Sequence, residues 1–453
     1  MNDYLEFLER KKHSIGNYGI EPNYLPASLF DYQNYVAEYA IKKGRCAVFL
    51  DTGLGKTLIE LVIAANYAKA TNKPVLIITP LAVAFQFIKE AERFNIDDIS
   101  HSKDGKYKTK IVVCNYERLQ YFDSKDFDCV ILDESSILKN FDGALKGQIT
   151  AFLKKVKYRF LFTATPSPND FIELGTSSEA LGYMGYMDMM QKFFANNENN
   201  IRPQEIATKW YLKPHAEDAF FEWVSSWSIS MRKPSDLGFD DSKHVLPELI
   251  TNYHAVKNEN NMVLNGQILM FNMVAQTMTE VKTEQKQTIN SRCERAIDLK
   301  TDVCVYWCHF NQESELLHEL DPEAYEIKGS MNLEHKEDIL NGFANGEIKR
   351  IITKPRITAF GLNWQHCNHT IYFPNWSYEQ YYQAIRRFWR FGQKNEVICD
   401  LVYSDGQKRV IDALQLKQDK ANDLYNKLNS KTNGKHIESI DKFTTPILKP
   451  KFL

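Results

Sequence analysis

The sequence predicts an α/β fold, with parallel sheets covered by helices on both faces and gathered in two lobes. Three observations predict it. Short apolar runs at residues 46–50, 75–78, 111–114, 127–132 and 158–162 alternate with helical stretches. Each run ends in a polar motif, and in such sheets ligands sit at the carboxyl ends of the strands. The rhythm resumes at 303–307, 351–353 and 370–373. Runs of four to six residues suit strands buried on both faces.

The chain has 453 residues, enough for two or three domains with a large core. Its net charge of -2 gives no general attraction to nucleic acid, so any such contact must use a local positive groove. The eight cysteines include no C-x-x-C pair and mostly lie in apolar runs, which reads as buried thiols in a reducing compartment. His366, Cys367 and His369 lack a second cluster at a zinc-like spacing and read as structural. Residues 1–12 are charged and no apolar run approaches the ~20 residues of a membrane span. A soluble, cytoplasmic protein with no membrane partner is expected.

The organising stretch is Asp51-Thr52-Gly53-Leu54-Gly55-Lys56-Thr57, between an apolar run and a helix expected over 58–68. A strand, a glycine turn and a helix N-terminus form a phosphate cradle. Backbone N–H groups point at the anion and the helix dipole adds roughly half a positive charge. Lys56 can reach the β- and γ-phosphates of ATP, and the Thr57 hydroxyl can ligate Mg²⁺. Leu50 stands where the usual pattern has its first glycine; Gly53 and Gly55 supply the turn and Leu54 lies within it. Before the loop, a helix is expected from residue 30 to about 43. Its Gln33 could hydrogen-bond an adenine edge, with Phe30 or Tyr24 stacked on the base.

The run at 127–132 ends in Asp133-Glu134, roughly eighty residues beyond the loop. A carboxylate at that place can hold Mg²⁺ through water, and the next can orient and deprotonate the attacking water. Asp133 is therefore the candidate metal ligand, with Thr57, and Glu134 the candidate base. The run at 158–162 leads to Thr163-Ala164-Thr165-Pro166. Residues 171–245 break the rhythm and read as a helical insertion, in which Phe220, Trp223, Val224 and Trp227 form a core stripe at helical spacing. Helices are expected over 251–299. Late in the chain, Arg387 and Arg390 lie three apart in Gln383-Ala384-Ile385-Arg386-Arg387-Phe388-Trp389-Arg390-Phe391-Gly392-Gln393, on one helix face. Each could serve as an arginine finger to the γ-phosphate, while Arg386 reads as facing solvent or a nucleic-acid backbone.

The ordered set Gln33, Gly53 to Thr57, Thr79-Pro80-Leu81, Asp133-Glu134-Ser135-Ser136 and Thr163 to Pro166 resembles helicase superfamily two. Asp133 to Asn140 is similar to the Asp-Glu-Ala-His-x-x-Lys-Asn run of Swi/Snf-type ATPases, with Ser135-Ser136 in place of Ala-His. Met231 to Asp236, followed by Leu246-Pro247, resembles that group's interlobe hinge. Residues 356–363 resemble its fifth motif, and 383–393 its sixth, with Trp389 in place of histidine. The likeness runs over residues 26–403.

The resemblance implies two RecA-like P-loop NTPase lobes with the nucleotide between them. The lead-in is 1–28, the first lobe 29–170, the insertion and hinge 171–245, the second lobe 246–430 and a loose tail 431–453. It implies an ATP-dependent DNA helicase or translocase of compact phage or bacterial type. Lys56, Asp133, Glu134, Arg387 and Arg390 would serve catalysis. Gln33, Gly53, Leu54, Gly55, Lys56, Thr57 and Gly361 would bind the nucleotide with Mg²⁺. Nucleic acid would be gripped by Thr79, Pro80, Asn115, Tyr116, Lys139, His309, Phe310 and Thr358. Duplex DNA is the expected partner of a monomer, with replication, recombination or repair proteins as further candidates. An RNA or single-strand helicase, and an adaptor with a vestigial ATP site, are the alternatives.

Overall fold

The computed structural model of the protein describes residues 18–80, 83–139, 143–196, 210–258, 263–264, 267–268, 278–358 and 363–440. They fall into two compact units. One comprises the residues up to His244 with those from Lys420 onward; the other is Val245–Asp419.

In the first unit the elements are α1 (Asp31–Lys43), β1 (Arg45–Leu50), α2 (Lys56–Thr71), β2 (Val75–Thr79), α3 (Ala84–Arg93), β3 (Ile99–His101), β4 (Ile111–Asn115), β5 (Cys129–Leu132), α4 (Ala144–Leu153) and β6 (Tyr158–Thr163). There follow α5 (Leu174–Leu181), α6 (Tyr186–Phe193), β7 (Phe194–Asn196), β8 (Trp210–Leu212), α7 (Glu217–Trp227) and β9 (Ser228–Met231). The described residues form one seven-stranded sheet in the order β3-β4-β2-β5-β6-β1-β9, and every pairing is parallel. From Cys46 to Leu50 every residue is fully buried, as a run covered by helices on both faces requires. Because all strands run one way, the polar motifs that follow β1, β2, β4, β5 and β6 share one edge of the sheet. Topology alone gathers the site.

The segment after residue 171 is more than a helical excursion. Its helices α5 and α7 pack on the sheet, α6 packs on α5, and Ser228–Met231 pairs with β1 as the outermost strand. Phe220, Val224 and Trp227 are fully buried and Trp223 nearly so. Trp227 meets Phe49 of β1 edge-on with ring centroids 6.2 Å apart. Such a pair adds ~0.5–1.5 kcal/mol beyond the area it buries. The stripe is therefore core, in line with its spacing.

The second unit contains β10 (Leu249–Val256), the two-residue strands β11 (Val263–Leu264) and β12 (Gln267–Ile268), α8 (Met278–Gln287), α9 (Ile289–Asp298), β13 (Cys304–Trp307), α10 (Asn311–Leu320) and β14 (Tyr325–Glu326). After these come α11 (Leu333–Ala344), β15 (Arg350–Thr353), the one-turn α12 (Pro355–Thr358), β16 (His369–Tyr372), α13 (Tyr378–Ile385), β17 (Val397–Ser404) and α14 (Lys408–Ile440). Its sheet has the order β10-β17-β16-β13-β15-β14, again parallel throughout.

Three expectations need correction. The stretch from residue 251 does not begin as helix: β10 pairs along its whole length with β17. As an edge strand it has one partner, and its alternating, partly exposed side chains lack the apolar run that marks the inner strands. The helix expected to carry Arg387 and Arg390 ends at Ile385. Residues 386–392 form successive turns, held where the Trp364 N–H donates to the Arg387 carbonyl at 3.0 Å. The loose tail expected from residue 431 is helix as far as Ile440, and from Lys420 onward that helix belongs to the first unit. Leu424, Tyr425 and Leu428 join the first unit's core, and the Tyr425 hydroxyl donates to the Ala164 carbonyl at 2.9 Å. The Arg232 guanidinium lies 4.5 Å over the Tyr425 ring.

Candidate active site

The phosphate loop owes its shape to two left-handed glycines, Gly53 at φ 87° and Gly55 at φ 77°. Gly55 caps the N-terminus of α2, and a Cβ there would lie 2.1 Å from Gln33 Nε2. Only glycine fits. Gln33 itself is buried and spans the gap between α1 and the loop. Its Oε1 accepts from the Phe30 N–H at 3.0 Å and its Nε2 donates to the Leu54 carbonyl at 3.1 Å. Tyr24, a candidate base-stacking ring, is buried, and its backbone N–H and carbonyl bond the Asn66 side chain. Phe30 is 38% exposed and stacks on Tyr32 at 5.9 Å, with His244 edge-on to both.

Lys56 turns back over the loop. Its Nζ donates to the carbonyls of Leu50 at 3.0 Å and Asp51 at 3.3 Å. Burial lowers its pKa, while Glu134, Asp133, Asp51 and Glu60 in electrostatic reach act the other way. The lysine thus lies within electrostatic reach of the Asp133-Glu134 pair at the sheet edge. Asp133 is buried, and its Oδ2 accepts from Thr79 Oγ1 at 2.9 Å. The Tyr116 hydroxyl donates to the Asp133 carbonyl at 2.5 Å. Glu134 is less buried and has φ 49°, an uncommon conformation for a residue with a side chain.

Glu60 is a residue that motif reading missed. It lies one turn along α2 from Lys56, is fully buried, and is pushed well above the usual carboxylate range by burial and then by Asp133. The available signal was a lone acid inside an otherwise apolar helix.

The nucleic-acid candidates divide. Thr79, Asn115 and Tyr116 are 0%, 1% and 2% exposed, so their side chains face the protein interior. Asn115 donates to the Pro80 carbonyl at 3.3 Å and bonds His101 at 3.1 Å. His309 commits both ring nitrogens within its own unit, to the Phe373 carbonyl at 2.7 Å and Asn375 at 3.1 Å. Burial drives its pKa down to about 4, so the ring is neutral near pH 7. Pro80, Lys139 and Phe310 are partly exposed. Gly361 and the side chain of Thr358 lie outside the described residues, as do Leu81 and Asn140.

In the second unit Arg387 is buried and donates to the Gln383 carbonyl and to Gln383 Oε1, both at 3.2 Å. Arg390 is partly exposed. Arg386, expected to face outward, is also buried. It donates to the Trp389 carbonyl at 2.9 Å and lies 4.7 Å over the Trp389 ring. Trp389, in the motif's histidine place, donates through Nε1 to the Pro247 carbonyl at 2.7 Å.

A nucleotide with its divalent cation fits these residues. The loop offers helix-terminal N–H groups and an ammonium, and the acids offer hard oxygen donors. The hydroxyls of Thr52, in the loop, and Thr165, after β6, are buried without a hydrogen-bond partner. Such orphan groups mark places where a polar ligand can complete the bonding. Among the described residues no helix is long and apolar enough to cross a membrane.

Comparisons with known proteins find similarities in both units. Residues 27–168 match the family model described as type III restriction enzyme, res subunit. Residues 284–392 match the helicase conserved C-terminal domain. The SWI/SNF-related matrix-associated actin-dependent regulator of chromatin subfamily A-like protein 1 of Xenopus tropicalis is 28% identical over 168 residues, 35% of this chain and 18% of the relative. Protein p41 of Acyrthosiphon pisum secondary endosymbiont phage 1 is 23% identical, over 79% of this chain and 87% of its own length. The Sulfolobus solfataricus SWI2/SNF2 ATPase core in complex with dsDNA aligns over 93% of this chain and 97% of that one, with TM-score 0.41 and 18% identity. The chain thus spans about a fifth of the length of the vertebrate relative it matches. Both helicase-type family models are thus matched in order, one over each parallel sheet, and the chain is similar to helicases of superfamily two and to Swi/Snf-related proteins.

Proposed function

We propose that the chain is an ATP-dependent DNA helicase or translocase, in which nucleic-acid-stimulated ATP hydrolysis drives movement along DNA. The observation that carries this reading is that Lys56, Asp133 and Glu134 lie within electrostatic reach of one another at the carboxyl edge of one parallel sheet. The loop N–H groups and Lys56 bind the β- and γ-phosphates. Thr57 and Asp133 would hold Mg²⁺, which when bound neutralises charge on the phosphate oxygens. Glu134 orients the attacking water and takes its proton. Arg387 and Arg390 supply positive charge to the transferred phosphoryl group, a role worth ~10³–10⁵ in rate in other enzymes.

Pro80, Lys139, Phe310 and Thr358 are the proposed contacts to nucleic acid. Contacts of this kind go to phosphate and sugar and read no sequence. The likeness to a vertebrate regulator of chromatin favours DNA as the track, and the intact Lys56, Asp133 and Glu134 count against a vestigial site.

The test is ATP turnover with duplex DNA, single-stranded DNA and RNA, run beside a strand-displacement assay. The reading expects the largest stimulation from duplex DNA, falling steeply with added salt. Stimulation by RNA alone would replace it with an RNA helicase.

A further inference from the structure

Glu134 occupies the left-handed region at φ 49°, where an L-residue costs about 1–2 kcal/mol. A strained backbone at a candidate base persists only when its surroundings impose it. Two hydroxyls hold the residue before it. The Asp133 carbonyl belongs to the peptide that joins Asp133 to Glu134, and rotation of that peptide changes the φ of Glu134. The Tyr116 hydroxyl holds this carbonyl at 2.5 Å. Thr79 Oγ1 holds the other end of the same residue, Asp133 Oδ2, at 2.9 Å. Both donors are sealed from water, so neither bond competes with solvent.

Tyr116 begins the turn after β4, and Thr79 is the last residue of β2. Asn115, between Tyr116 and the rest of β4, is tied to the Pro80 carbonyl just beyond Thr79. The two strand ends are thus linked to each other and to Asp133, while Pro80 remains partly exposed. We propose that Tyr116 and Thr79 are positioning residues: their hydroxyls hold the Asp133–Glu134 peptide in its reactive orientation and carry to it any shift that nucleic acid imposes on the ends of β2 and β4. This rests on the helicase reading for its chemistry. It gives two buried side chains of the expected grip a different task.

Three variants of the full chain test it: Tyr116→Phe, Thr79→Val and Thr79→Ser. Each is measured for ATP turnover with and without duplex DNA, for KM, and for thermal unfolding. Tyr116→Phe and Thr79→Val should lower DNA-stimulated kcat by about tenfold or more, with KM for ATP changed less than about twofold. Thr79→Ser, which restores the hydroxyl, should recover most of the loss. Unchanged kcat, or a loss that serine does not rescue, overturns the proposal. So does a rise in KM in step with the fall in kcat, which marks general loosening. Hydrogen exchange tests the same role without turnover. Tyr116→Phe should speed exchange over residues 132–139 while leaving β1 protected, and equal protection in both proteins overturns the positioning role. If wild-type hydrolysis ignores every nucleic acid, the helicase reading fails, while the exchange result still decides the role of Tyr116.

Discussion

Replacing Gly55 with alanine should break the phosphate loop from behind. The added Cβ would sit 2.1 Å from Gln33 Nε2 and would have to adopt φ 77°. The backbone alone costs about 1–2 kcal/mol. Gln33 must also move away and give up its bonds to the Phe30 N–H and the Leu54 carbonyl, ~0.5–1.5 kcal/mol each. The sum, about 2–5 kcal/mol, is a large share of the 5–15 kcal/mol typical of a domain. Urea denaturation of the full chain, with fluorescent-nucleotide titration alongside, measures both consequences. A double-mutant cycle sharpens the test. In Gln33→Ala the bonds are already lost and the space is open, so adding Gly55→Ala should cost only the backbone term. The double variant should therefore be more stable than the sum of the singles by about 1–3 kcal/mol. Additivity within ~0.5 kcal/mol would refute the reasoning, because it would mean the two residues do not meet.

Arg387→Ala should lower ATP turnover by a hundredfold or more with little change in ATP affinity, about 3 kcal/mol of transition-state stabilisation; equal losses in kcat and affinity would contradict the finger role. The second unit should lose stability in alkali through its His369–Asp400 pair, bonded at 2.7 Å. Burial alone would lower the His369 pKa, but the bond to Asp400 raises it to about 9. A raised histidine contributes fully below its unfolded value of about 6.5 and loses that contribution as pH rises through about 9. Asp400 is drawn down to about 2 by bonds from His369, His254 and Asn252 that outweigh burial, so its share is lost only as pH falls toward about 2. Denaturation of wild type and Asp400→Asn from about pH 6 to pH 10 should give curves that converge as pH rises, and parallel curves would rule the pair out.

The inner strands and the loop were legible because each is a local signal. Cys46 to Leu50 is apolar throughout and Gly53 and Gly55 punctuate it, so neighbours in sequence suffice to predict the turn. What escaped depends on partners far along the chain. β10 became strand through β17, nearly 150 residues away, and carries no apolar run of its own. Nothing in Arg386 to Arg390 stops a helix; the turn after Ile385 is held by Trp364 and by the Trp389–Pro247 bond. Leu424, Tyr425 and Leu428 sit among charged residues, and only the first unit's core shows what they cover. The nucleotide-binding candidates of the loop were placed by local geometry, which the left-handed Gly53 and Gly55 reproduce. The grip at Thr79, Asn115 and Tyr116 was placed by resemblance, and their burial is a tertiary fact that no spacing reveals.

The central claim is that Lys56 and the Asp133–Glu134 pair form one hydrolytic centre answerable to DNA. The most direct measurement is steady-state ATP hydrolysis by the full chain with and without duplex DNA, for wild type, Lys56→Ala and Glu134→Gln. The account predicts strong DNA stimulation in wild type and its collapse, by about a hundredfold or more, in both variants. Glu134→Gln should still bind ATP. Hydrolysis that persists in Lys56→Ala, or that ignores DNA in the wild type, would contradict it.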